Sequence, residues 1–98
     1  MKLLTKALIK KFPKLYSNEN TPTEKIKIIA KFFAVWSNWT WFATEFDQKD
    51  TFFGMVHGHE NELGYFSLNE LESLRGPGGL RIERDLYYGD KHTLSEVM

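Results

Sequence analysis

Eleven of the fifteen aromatic side chains fall between Phe32 and Phe66, a stretch punctuated by the short polar runs Asp47-Gln48-Lys49-Asp50 and His59-Glu60-Asn61-Glu62. Connections that short join only antiparallel neighbours, because parallel strands need a crossover of about a dozen residues or more. Aromatic and β-branched residues suit a pleated, half-buried surface. The segment therefore predicts antiparallel strands near Trp39–Phe46, Phe52–His57 and Leu63–Phe66. Upstream, Ile28, Ala30, Phe32 and Ala34 alternate with the odd-numbered positions that include Lys27 and Lys31, so Ile26 to Val35 reads as a further strand. The same alternation puts Trp39 and Trp41 on one face of their strand and Phe42 and Phe46 on the other, so the two faces cannot both be solvated.

Leu3, Leu4, Ala7, Leu8 and Phe12 recur at helical spacing ahead of Pro13, which predicts an amphipathic helix over residues 2–12 with Lys2, Lys6 and Lys10 along its outer side. Tyr16 to Glu24 reads as a polar loop; Thr21-Pro22-Thr23-Glu24 also has the makings of a helix start, but the loop reading is preferred. Ser67-Leu68-Asn69-Glu70 matches a capping box, with Leu68, Leu71 and Leu74 behind it, and Gly76-Pro77-Gly78-Gly79 ends that helix. Leu80, Ile82, Leu86 and Tyr88 share one face of a last extended segment, and Thr93 to Met98 is a frayed tail or a single helical turn. The expected architecture is one α+β domain over residues 1–98. It comprises a mostly antiparallel sheet of four to five strands, an N-terminal helix and a short helix after the fourth strand.

The 98 residues include no cysteine, which excludes a disulfide framework, thiolate metal sites and thiol chemistry. Thirteen basic residues balance thirteen acidic ones, so no global field draws the chain to nucleic acid or to an anionic membrane. The balance hides a split: residues 1–31 carry eight lysines and two acids, and residues 32–98 carry the compensating negative charge. No apolar run in the first eleven residues exceeds three, far short of a signal-peptide core or a spanning helix, so a cytoplasmic protein without membrane contact is expected.

Leu3-Leu4-Thr5-Lys6, the run Ser37-Asn38-Trp39-Thr40-Trp41-Phe42-Ala43-Thr44-Glu45-Phe46-Asp47, Thr51-Phe52-Phe53-Gly54, Gly58-His59-Glu60, Glu62-Leu63-Gly64-Tyr65-Phe66-Ser67-Leu68 and Ile82-Glu83-Arg84-Asp85 carry a resemblance across nearly the whole chain. Through them the sequence resembles a family of small bacterial proteins, the domain of unknown function 2958. The resemblance implies a cytoplasmic accessory protein of plasmids, phages and other mobile elements. It brings no catalytic motif to any position.

Individual constellations are weak. His57-Gly58-His59-Glu60 could share a metal with Glu45, Asp47 or Glu62, but it flanks a turn where polar residues belong anyway, and no metal or other cofactor is expected. Glu45, Asp47 and Asp50 could serve as an acid and base pair, or simply end a strand with solvated charge. Trp39 and Trp41 lie either beneath a terminal segment or in an exposed aromatic patch of the kind that marks a partner surface. The function expected is binding of another macromolecule, foremost a host protein, as an inhibitor or modulator of a host enzyme. Trp39, Trp41, Glu45, Asp47 and Asp50 would lie at or beside the contact. The alternative is a nucleic-acid binder using Lys2, Lys6, Lys10 and Lys14. An enzyme working through a metal or carboxylates is third, and no catalytic residue is assigned.

Overall fold

The computed structural model describes residues 2–98. Five strands, β1 (Ala30–Ala34), β2 (Thr40–Phe46), β3 (Thr51–His57), β4 (Asn61–Ser67) and β5 (Ile82–Arg84), form one sheet in the order β4-β3-β2-β1-β5. Every neighbouring pair is antiparallel, as the short connections require. Two helices, α1 (Lys6–Ile9) and α2 (Leu68–Ser73), complete the α+β architecture, with 3-10 turns at Thr23–Lys25, Pro77–Gly79 and Leu94–Val97.

Both faces of the sheet are covered. On one, Ala30, Phe32, Ala34, Trp41, Ala43, Phe46, Phe52 and Ile82 pack beneath Leu3, Leu4 and Phe12 of the N-terminal segment and Leu71 of α2. Phe32, Phe46 and Phe52 are fully buried, each contributing about 1.5–3 kcal/mol relative to an exposed ring. On the other, Phe42 and Met55 pack with Ile26, Ile28 and Leu94. Trp41 and Phe46 thus share a face, against the expectation from strict alternation. The cause is a slip in the β2–β3 register between Ala43 and Glu45, which absorbs Thr44 as an extra residue and returns Phe46 to the Trp41 side. Thr44 is buried there, its hydroxyl donating to the Phe53 carbonyl at 3.0 Å. Beside the bulge, a Cβ on Gly54 would stand 1.8 Å from the Phe42 carbonyl oxygen, so glycine is obligatory.

The first helix is far shorter than the span 2–12. Thr5 takes an extended conformation and its side chain accepts the Leu8 N–H, so the helix starts only at Lys6. Leu3 lies outside the helix: its N–H donates to Glu72 and its carbonyl accepts from Arg84. The second helix starts where its capping residues place it, with Ser67 Oγ accepting the Glu70 N–H. The Thr21-Pro22-Thr23-Glu24 segment, read as loop, does open a helical turn, a 3-10 turn of three residues. The last extended segment also shrinks, because only Ile82 of its apolar residues is buried; Leu80 and Leu86 are exposed. At the C-terminus the single-turn alternative holds: Thr93 and Glu96 form a capping box and Leu94 is buried.

Candidate functional site

The three acids of the β2–β3 hairpin serve the chain's own backbone. Asp47 Oδ1 accepts the N–H groups of Lys49, Asp50 and Thr51, at 2.8, 2.8 and 3.0 Å. The N–H groups of Thr51 and Asp50 hold its carboxyl below the ordinary value of 3.8. Asp50 accepts from Ser67 Oγ and the Asn69 N–H, fastening the start of α2 to the hairpin. Glu45 is 4% exposed, so it forms no rim acid; its carboxylate accepts the N–H groups of Tyr16 and Asn18 at 2.8 and 2.9 Å.

This buried carboxylate builds a surface. Tyr16 sits at φ 70°, a left-handed conformation costly for a bulky side chain, and the hydrogen bond from its N–H to Glu45 holds it there. Its ring is 64% exposed and meets Tyr65 of β4 edge-on, with centroids 6.4 Å apart. Tyr65, 55% exposed, in turn packs edge-on against Phe53 of β3 at 5.1 Å, and Leu63 beside it is 42% exposed. The Tyr16 phenol chiefly, with the carboxylates of Glu45 and Glu19 adding to it, raises the pKa of Tyr65 above its usual 10.0. Between the Tyr16 loop and the strands lies a groove of about 270 Å³ lined by Thr23, Ile26, Phe53, Leu63 and Tyr65 among others. The surroundings are acidic. Residues 50–74, covering β3, β4 and α2, hold five acids and no lysine or arginine.

Residues 3–98 match a family model described as a protein of unknown function (DUF2958). The chain belongs to that family. Among curated proteins and among solved structures, none matches. The DUF2958 match spans every element of the fold, the Tyr16–Tyr65 surface included.

The tryptophans of this DUF2958 chain occupy a different place. Trp41 is 8% exposed, lying beside Phe66 and Leu71, so its side chain is core and offers a partner almost no area. Trp39 is half-buried, tilted against Trp41 at 5.8 Å and met edge-on by His59 at 5.4 Å. One side of its ring lies on Gly58, where a Cβ would stand 2.4 Å away; Trp36 lies on Gly76 in the same manner. His57 faces the opposite side of the sheet, against Phe42 at 4.9 Å and the Val97 carbonyl at 2.6 Å, so the two imidazoles point apart. Among the described residues no cluster of three His, Cys, Asp or Glu is placed to hold a metal.

Lys2, Lys6, Lys10 and Lys14 are all exposed, but only Lys6 lies within α1, so they do not form one helical stripe. None of the four joins an ion pair among the described residues; the pairs there are Lys31–Asp85 and His92–Glu96. No helix among those residues is long and apolar enough to cross a membrane. Sequence reasoning missed Tyr16, Leu63 and Tyr65. Leu63 and Tyr65 had a signal, an apolar pair on one strand face with Glu62 and Gly64 between and beside them, whereas Tyr16 stood in a segment read only as polar loop.

Proposed function

We propose that the protein acts by binding another protein, through the surface formed by Tyr16, Leu63 and Tyr65. The observation that carries this reading is the cost at which Tyr16 is presented: a left-handed backbone, secured by a buried carboxylate, holds out a ring that buries little of itself. Tyrosines contribute heavily to protein interfaces because a large rigid ring loses little entropy on contact. A cytoplasmic accessory protein of a mobile element, modulating a host enzyme by occupying it, fits such a surface. Asp47 and Asp50, at the neighbouring hairpin, would lie beside the contact, and Trp39 outside it.

The test is capture of partners from bacterial lysate by the native chain and by Tyr65→Ser and Leu63→Ser variants. Both side chains are exposed, so the variants should melt like the native protein while losing the captured partner. Retention of the same partner by both variants would overturn the reading.

A nucleic-acid reading rests on the exposed Lys2, Lys6, Lys10 and Lys14, whose charges no acid neutralises among the described residues. A gel-shift series at low salt tests it. Binding weakened by Lys6→Glu and Lys10→Glu would favour it, and no shift at tens of micromolar protein (roughly the upper limit of non-specific affinity) would end it.

A further inference from the structure

We infer that β4 is a docking edge which takes an extended, basic segment of a partner protein as a sixth strand, with apolar and basic side chains alternating along it. This rests on the protein-binding reading above and specifies the partner. β4 is the outer strand of the sheet and has seven residues. The Leu68 N–H donates to the Asp50 carbonyl at one end of the β3–β4 ladder, and the Gly58 N–H to the Glu60 carbonyl at the other, both in phase with the register that runs from Thr51↔Ser67 to His57↔Asn61. Antiparallel residues alternate between bonding one neighbour and facing away from it. The even-numbered residues of β4 therefore bond β3, and Asn61, Leu63, Tyr65 and Ser67 turn their N–H and C=O groups outward.

Natural sheets guard such an edge with lysine, proline, a bulge or a very short strand. β4 has none of these; its register with β3 runs unbroken and its only charge is Glu62. Gly64, at its centre, is unexplained by the fold: a Cβ there would meet nothing within 4 Å and its φ is not left-handed. Glycine within a strand costs stability and marks a site where another chain approaches closely.

The side-chain pattern of the guest follows from the two faces. Residues opposite Leu63 and Tyr65 would lie on the groove side, against two exposed apolar side chains, and should be apolar. The residue opposite Gly64 would project on the other face, over the bare glycine and diagonal to Glu62, and should be lysine or arginine. The five acids and absent basic residues of positions 50–74 favour the same charge, and oppose pairing with a second copy of this acidic edge.

The experiment uses the full chain and a peptide alternating valine and lysine, matched to the seven residues of β4. We expect saturable amide shifts over Asn61–Ser67, slowed hydrogen exchange at the Leu63 and Tyr65 amides, and affinity about tenfold weaker in Glu62→Lys. A valine–glutamate peptide should not bind, and neither should the valine–lysine peptide with N-methylated backbone, a control that leaves the protein unchanged. Shifts without protection of the Leu63 and Tyr65 amides, or binding of the N-methylated peptide, would overturn strand addition while leaving the surface as a protein-binding site. Protection of those amides by dimerisation without peptide would overturn the choice of occupant. No binding at millimolar peptide, while a lysate partner is still lost in Tyr65→Ser, would refute the docking edge alone.

Discussion

The two edges of the sheet are built on opposite plans. β5 has three residues, ends on Arg84 with Arg81 just before it, and is tied into the fold: Arg84 donates to the Leu3 carbonyl at 2.7 Å, and the Asp85 N–H continues the pairing with β1 by donating to the Lys31 carbonyl. β4 is more than twice as long, acidic on its flank, and presents Leu63 and Tyr65 to solvent. The chain ties one edge to its own N-terminal segment through Arg84 and leaves the other without such a tie. What differs is use: residues at the β5 edge should matter for stability, and residues at the β4 edge for association.

The facing glycines give the largest contrast. Gly54→Ala forces a methyl group into the Phe42 carbonyl and should cost about 3 kcal/mol or more. Gly64→Ala, directly across the ladder, should be neutral or stabilising by about 0.5–1 kcal/mol. Denaturant melts of the two variants decide it, and equal losses would mean that β4 is as tightly constrained as β3. Next comes Glu45→Ala, which leaves the Tyr16 and Asn18 N–H groups without their acceptor and should cost about 2–3 kcal/mol. Amide exchange should then quicken around residues 16–18 and not at β5. At the β5 edge, Arg84→Met retains much of the side chain's bulk but strips the Leu3 carbonyl of its donor, for a loss of about 1–2 kcal/mol.

Much of the fold, though not this contrast of edges, was legible in the sequence. Turn length fixed the antiparallel pairing, and Ser67 with Glu70 fixed the start of α2, because both are local rules with few alternatives. The Trp41 and Phe46 relation was not, since a single extra residue at Thr44 reverses side-chain parity and nothing in the local composition announces it. α1 lost most of its length for a tertiary reason, the bonds that tie Leu3 to Glu72 and Arg84, 69 and 81 residues away in sequence. Glu45 misled in the same way. A carboxylate at a hairpin end reads as solvated, and its partners, the N–H groups of Tyr16 and Asn18, are 29 and 27 positions distant. Tyr16 was therefore out of reach of any local pattern.

A smaller effect, one of pH, lies on the β1–C-terminal side of the sheet. Burial, with Glu96 and Asp85 nearby, pushes Tyr88 up to about 12, whereas an unfolded tyrosine titrates near 10.0. The folded state thus holds the phenolic proton more tightly. The stability this provides is complete below pH 10 and is lost as the pH rises toward about 12. Tyr88→Phe should flatten that decline in thermal melts between pH 9 and 12 (roughly the window of the shift), and an unchanged slope would show the phenol to be freely solvated.

The most direct test of the central claim is the paired measurement of stability and binding in Tyr16→Gly. Glycine adopts the left-handed conformation without penalty and keeps the N–H that Glu45 accepts, while the exposed ring contributes little burial. The account predicts a folding stability unchanged or raised by up to about 1 kcal/mol, together with loss of the protein partner captured by the native chain. A destabilisation of about 2 kcal/mol or more, or full retention of that partner, would contradict it and make Tyr16 a residue of the fold alone.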